Sequence, residues 1–392
     1  MNQRVDRLRV VVAMSLALSG CAGTTTPPLA PNRDPIVTVD QFVSHISTVP
    51  AIAGQKVGIF VRQKAVLSHL PGQGNTEMTG RVVLFVHGGT VPSVPDYDLD
   101  YQDYNWMTFL AQAGFNVYAM DLSGYGSSPR PMMDDPCNAN PKQQKILDGR
   151  PLKAACAPHY ARDFNTIRSD WDEIDAVVNY VRAVNRVERI HMIGWSAGGP
   201  RVGGYVAQHP EKIDRVMLYA PSPTIAGPVP DVPAAGFPMS LQTREDLEKN
   251  RWDPDVRCNG QVAPGVRDAV WKAIMQWDRI GASWGPEDGV MRGRTATRFG
   301  WTQDLAAKVT PPTLVMVGEY DRLKERHTVY EQIASAEKVF VTVACASHFM
   351  VWEKQHRALQ DASLEWLRDR RLKGLTRGEL QVDADGKFWP VK

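Results

Sequence analysis

Short, strongly apolar runs recur along the chain, and each ends at a small or polar turn. Residues 81–86 run into His87-Gly88-Gly89, 115–120 into Asp121, and 189–193 into Gly194-Trp195-Ser196. Further on, 216–220 lead into Pro-Ser-Pro, 313–317 into Gly-Glu-Tyr-Asp, and 338–344 end near His348. Runs of this length with little alternation suit strands buried on both faces, as in a parallel sheet covered by helices. Between them, 163–184, 197–208 and 350–370 carry apolar residues at helical spacing with charges opposite. This alternation predicts an open, doubly wound α/β domain, whose ligands sit beyond the carboxyl ends of the strands. Every special turn named above falls at such an end.

Two stretches break the rhythm. Residues 129–162 form an insertion rich in Pro, Asp and Lys. Residues from about 221 to 305 form a longer one, predicted to be a helical lid with two helices and Trp252, Trp271, Trp277, Trp284 and Trp301. These tryptophans either face an apolar or aromatic substrate group or simply fill a core. Beyond Lys373, Asp-Ala-Asp-Gly between apolar pairs predicts a terminal hairpin.

Composition narrows the class only a little. With 43% hydrophobic and 22% charged residues, the chain has enough apolar material for a soluble globular core. Its formal net charge is +2 and no basic block is present, so nucleic acid is not an expected partner. The first residues say more. Arg4, Arg7 and Arg9 precede an apolar run, 10–18, that is too short to span a bilayer as a helix and fits a secretory signal. Leu18-Ser19-Gly20-Cys21 resembles the lipobox of bacterial lipoproteins, which implies cleavage of 1–20 and a lipid on Cys21. Ala22 after the cysteine implies the outer membrane by the same resemblance. Residues 21–34, rich in Thr and Pro, read as a tether for a body spanning 35–392. Four cysteines remain, an even number that permits two disulfides in an exported protein. Cys137 and Cys156 bracket one loop-like stretch inside the first insertion and are the first expected pair; Cys258 and Cys345 are left for a second. None has metal-type spacing, and no metal or organic cofactor is implied.

The chemistry concentrates in four segments. Gly194-Trp195-Ser196-Ala197-Gly198 is Gly-x-Ser-x-Gly between a strand and a helix, a turn that pushes a serine Oγ out of the sheet. A serine hydroxyl needs a base, and His348 follows by about 150 residues at another strand end. The acid that orients the imidazole is expected at Asp321, with Glu319 as a rival. Backbone N–H donors for an oxyanion are expected from Ala197 and from the His-Gly-Gly turn, through Gly89 or its rival Thr90.

These segments, with Asp121-Leu-Ser-Gly124-Tyr-Gly126-Ser-Ser128 and the run 312–321, resemble the α/β-hydrolase superfamily in its esterase, lipase and peptidase-like branch. The resemblance covers about 55–372, less the lid. It implies that Ser196, His348 and Asp321 cleave a carboxylic ester of a small molecule through an acyl-enzyme. An amidase or aminopeptidase would use the same three residues and would need an acidic or polar pocket for an amine in the lid, where Glu245, Asp246 and Glu248 are more simply explained as the exposed face of a helix. The remaining alternative is a non-catalytic surface lipoprotein that binds through the same fold.

Overall fold

The computed structural model describes residues 34–73, 77–295, 300–323 and 326–391. Cys21, the leader 1–20 and the tether up to Arg33 lie outside the described residues. Among the described residues, no helix is long and apolar enough to cross a membrane.

Among the described residues twelve strands form: β1 (Ile36–Ile46), β2 (Lys56–Val66), β3 (Val82–Val86), β4 (Asn116–Met120), β5 (Ile190–Trp195), β6 (Ile213–Tyr219), β7 (Met239–Gln242), β8 (Met291–Arg294), β9 (Thr313–Gly318), β10 (Lys338–Val343), β11 (Gly378–Val382) and β12 (Phe388–Pro390). Ten of them make one sheet in the order β1-β2-β4-β3-β5-β6-β9-β10-β11-β12. The centre, from β4 to β11, is parallel. Every residue of β3, β4, β5 and β9 is buried, which explains their unbroken apolar runs. Each such Val, Leu or Ile contributes roughly 1.5–3 kcal/mol through burial. Helices Ile167–Asn185 and Gly198–Gln208 cover one face, and Trp106–Gln112 and His356–Asp369 cover the other.

Both edges are antiparallel. β1 pairs with β2 along its whole length, from Ile36 opposite Val66 to Ile46 opposite Lys56. This hairpin gave no continuous apolar signal because β1 is an edge strand that alternates between half-buried and exposed positions. The expected terminal hairpin is present as β11 and β12, and β11 also extends the sheet beside β10.

The second insertion departs from a purely helical lid. It holds helices Val266–Gln276 and Arg279–Ser283 and a π-helical turn, Asp246–Trp252, but also the two-stranded antiparallel ribbon β7–β8. The ribbon was illegible because β7 is four residues long and its partner lies about fifty residues away. Met133, Leu147 and Phe164 from the first insertion region share one apolar cluster with Met239, Leu241 and Trp284 from the second. The two insertions are therefore one packed body. Its cysteines pair as Cys137–Cys156, and Cys258 joins Cys345. Trp252 and Trp301 are fully enclosed, so their first role is packing.

Candidate active site

Ser196 stands immediately after β5 with φ of +53°, in the left-handed region that a residue with a Cβ rarely adopts. The turn is held by two hydrogen bonds: the Ser196 N–H donates to the Tyr219 oxygen at 3.0 Å, and the Ser222 N–H donates to the Ser196 oxygen at 3.0 Å. Its glycines are steric requirements. A Cβ on Gly194 would stand 2.5 Å from the Gly198 oxygen, and one on Gly198 would stand 2.3 Å from the Val86 oxygen. The serine remains half-exposed, while Trp195 and Ala197 beside it are buried.

His348 lies in the turn after β10, and its Nε2 is 2.9 Å from Ser196 Oγ. Its Nδ1 is 3.1 Å from Asp321 Oδ2. Asp321 follows β9, with its carboxylate enclosed and its other oxygen accepting the Leu323 N–H at 2.9 Å. The three expected residues thus meet in a chain of hydrogen bonds, in the geometry that lets an imidazole take a hydroxyl proton. Glu319 instead accepts the Cys345 N–H at 3.2 Å.

Gly89 faces Ala197 across the site: a Cβ on Gly89 would meet the Ala197 Cβ at 3.4 Å. Among the described residues, neither N–H donates to a protein acceptor. The loop that carries Gly89 is held by groups to which the sequence assigned no such role. The Leu122 N–H donates to His87 Nε2 at 3.1 Å, which places the ring proton on Nδ1, 2.8 Å from the Gly88 oxygen. Burial and the Arg201 and Arg294 guanidinium groups hold the His87 pKa well below its usual value, so the ring is neutral. Arg201 donates to the same Gly88 oxygen at 3.0 Å, and the Tyr125 hydroxyl donates to the Gly89 oxygen. Arg201 and Arg294 both bond Asp170, and all three side chains are buried. Arg294 belongs to β8, so the insertion reaches the core beneath the loop of Gly89. Such a buried cluster is held together by mutual pairing rather than by hydration.

His348 is positioned in a similar way. Trp195 Nε1 and the Tyr219 hydroxyl both donate to the His348 carbonyl oxygen, at 3.1 and 2.6 Å. Glu353 accepts from the Ser347 N–H at 2.8 Å and from Trp252 Nε1 at 2.8 Å. Aromatic and arginine residues like these resemble ordinary core or surface positions in sequence.

Glu245, Asp246 and Glu248 do not form an acidic pocket. Asp246 accepts from Thr243, Glu248 pairs with Arg244, and Glu245 is exposed. Among the described residues, Asp135, Cys137 and His159 approach one another as metal ligands would, but the Cys137 sulfur is already bonded to Cys156. A surface cleft of about 920 Å³ beside Phe60, Arg130 and Trp277 touches none of the Ser196 group.

A central parallel sheet with a strand-to-helix turn at Ser196 defines an α/β hydrolase. The family model for the alpha/beta hydrolase fold matches residues 81–355, and the chain belongs to that family. Comparison with curated proteins gives no match. Among solved structures, the chain is similar to an esterase from Thermogutta terrifontis at 16% identity, covering 84% of this chain and 98% of that one, with a TM-score of 0.51. A 2-hydroxy-6-oxo-6-phenylhexa-2,4-dienoate hydrolase from Rhodococcus is similar at 14% identity, covering 85% and 100%, with a TM-score of 0.49. A monoacylglycerol lipase from Paleococcus ferrophilus is similar at 19% identity, covering 79% and 98%, with a TM-score of 0.44.

Proposed function

We propose that the protein is a serine hydrolase that cleaves carboxylic esters of small molecules through an acyl-enzyme. The observation that carries this reading is the continuous contact from Ser196 Oγ to His348 Nε2 and from His348 Nδ1 to Asp321. His348 takes the hydroxyl proton as Ser196 attacks the carbonyl, and Asp321 holds the ring in the tautomer that can accept it. The N–H groups of Gly89 and Ala197 receive the developing oxyanion. His348 then protonates the leaving alcohol, and water repeats the sequence on the acyl group.

An ester is favoured over an amine-bearing substrate by charge. The three insertion carboxylates that would receive an ammonium are engaged with Thr243 and Arg244 or lie exposed. Labelling with a fluorophosphonate tests the assignment: the wild type reacts at Ser196, and Ser196→Ala neither reacts nor turns over p-nitrophenyl esters. Unlabelled folded protein would leave the non-catalytic binding reading standing, and cleavage of anilides as fast as esters would favour the amidase. Attachment to an outer membrane through a lipid on Cys21 belongs to the same proposal. Its support is the leader sequence, and Cys21→Ser should release the protein from the membrane fraction.

A further inference from the structure

Arg251 differs from the other enclosed arginines. Arg201, Arg292 and Arg294 each bond a buried aspartate, Asp170 or Asp278. Arg251 is half-buried, and among the described residues it pairs with no carboxylate. Its Nη1 finds only neutral oxygens, Gln242 Oε1 at 2.8 Å and Thr90 Oγ1 at 3.4 Å. The guanidinium stands 5.8 Å from the centre of the Phe349 ring. Burial, with the positive charge of Arg322 adding to it, pushes the Arg251 pKa down.

Its place in the fold gives that charge a meaning. Thr90 follows Gly89 of the oxyanion turn, and Phe349 follows His348. Arg251 therefore reaches from the insertion to Thr90 and Phe349, the residues that follow Gly89 and His348. A guanidinium carries five N–H donors in a planar fork suited to a carboxylate. Taking that cation out of water without a counter-ion is unfavourable, and an incoming anion removes the penalty. Asp255 leaves this role open, because it is already bonded to Arg322, which also donates to the Asn250 backbone oxygen.

We infer that Arg251 is a specificity residue that binds a carboxylate on the substrate, so that the preferred esters are anionic. This rests on the ester-hydrolase reading of Ser196 and names the substrate class for that site.

Two probe pairs test it. One compares mono-p-nitrophenyl glutarate with its methyl-capped diester, placing the carboxylate in the acyl half. The other compares 4-acetoxybenzoate with its methyl ester, placing it in the alcohol half. In at least one pair the wild type should favour the anionic ester in kcat/KM by about tenfold, as a single charge-assisted bidentate contact allows. Arg251→Gln should bring that ratio close to one, chiefly through KM of the anionic member, and Arg251→Lys should keep part of it. No anionic preference in either pair, a preference that survives Arg251→Gln, or an equal fall for both members would overturn the inference. A second measurement needs no turnover. Benzoate should slow fluorophosphonate labelling of Ser196 more than benzamide does, and Arg251→Gln should remove the difference. If neither ester of a pair is cleaved, the ester reading fails, whereas the anion site stands or falls on that protection.

Discussion

Trp195 donates its indole N–H to the carbonyl oxygen of His348 at 3.1 Å, so the residue before Ser196 holds the backbone of the histidine that Ser196 touches. Tyr219 supplies a second donor to the same oxygen, and its hydroxyl also accepts the Val351 N–H at 3.1 Å. Trp195→Phe keeps the ring contacts with Tyr219 and Trp352 and removes one bond to that oxygen. Because a shift of the base of a fraction of an ångström is costly, kcat should fall by about tenfold with KM changing little. Steady-state kinetics check this. A kcat unchanged in the folded variant would mean that Tyr219 alone positions His348.

Arg201 stands under the opposite wall. Its bonds to Gly88 and Asp170 make it a positioning residue for the Gly89 donor, not a group that meets substrate. Lysine keeps the charge but cannot span both partners. Arg201→Lys is expected to lower kcat by roughly tenfold, less than the 10²–10³ lost when an oxyanion donor itself is removed. Arg201→Met should in addition destabilise the fold by about 3 kcal/mol or more, since it breaks a buried ion pair. Thermal and urea denaturation alongside kcat separate the two effects.

Stability should fall as pH rises towards neutrality because of Glu173. Its carboxyl is fully enclosed and accepts the Ser123 N–H at 2.8 Å. Burial raises its pKa from 4.5 to about 7, against the Ser123 bonds and the Arg294 charge, while Asp170 adds to the rise. The folded state thus holds this proton more tightly than the unfolded chain does. The contribution is present in full below about 4.5 and is lost as pH climbs through about 7, a change of roughly 3 kcal/mol. Glu173→Gln keeps the acceptor without the titration. Urea denaturation at pH 5 and pH 8 should show a gap for the wild type that narrows by about that amount in the variant.

What was legible in the sequence was local. Gly194, Ser196 and Gly198 announce their turn because the steric demand and the residues that meet it lie within five positions. Asp321 and His348 could be found because each directly follows a buried strand. Cys137 and Cys156 flank one short insertion. The illegible part is non-local. Asp170 meets Arg294 across 124 positions, and a buried arginine pair looks in sequence like two solvated charges. The β7–β8 ribbon has the same cause, as does Arg251, which no motif marks and which pairs with no carboxylate among the described residues.

The Cys258–Cys345 bridge has a functional consequence that the Cys137–Cys156 bridge lacks. Cys345 lies three residues before His348, in a left-handed turn with φ of +53°. Cys258 lies in the second insertion, so the bridge fastens the insertion to the loop of the base. Asp255, three residues earlier, accepts from Arg322 Nε at 2.9 Å, one position after Asp321. The insertion therefore grips the acid loop and the base loop together. The bridge joins positions 87 apart, for which loop closure predicts about 4–5 kcal/mol, against about 3 kcal/mol for the 19-residue separation of the other pair. Replacing Cys258 and Cys345 together by serine should lower Tm and, in protein still folded, lower kcat by about tenfold as His348 loses its anchorage. Replacing Cys137 and Cys156 should lower Tm less and leave kcat within about twofold, because that pair touches neither loop. Thermal denaturation and kcat of both double variants decide the matter. Equal kcat in the two would show that Trp195 and Tyr219 hold His348 without help from the insertion.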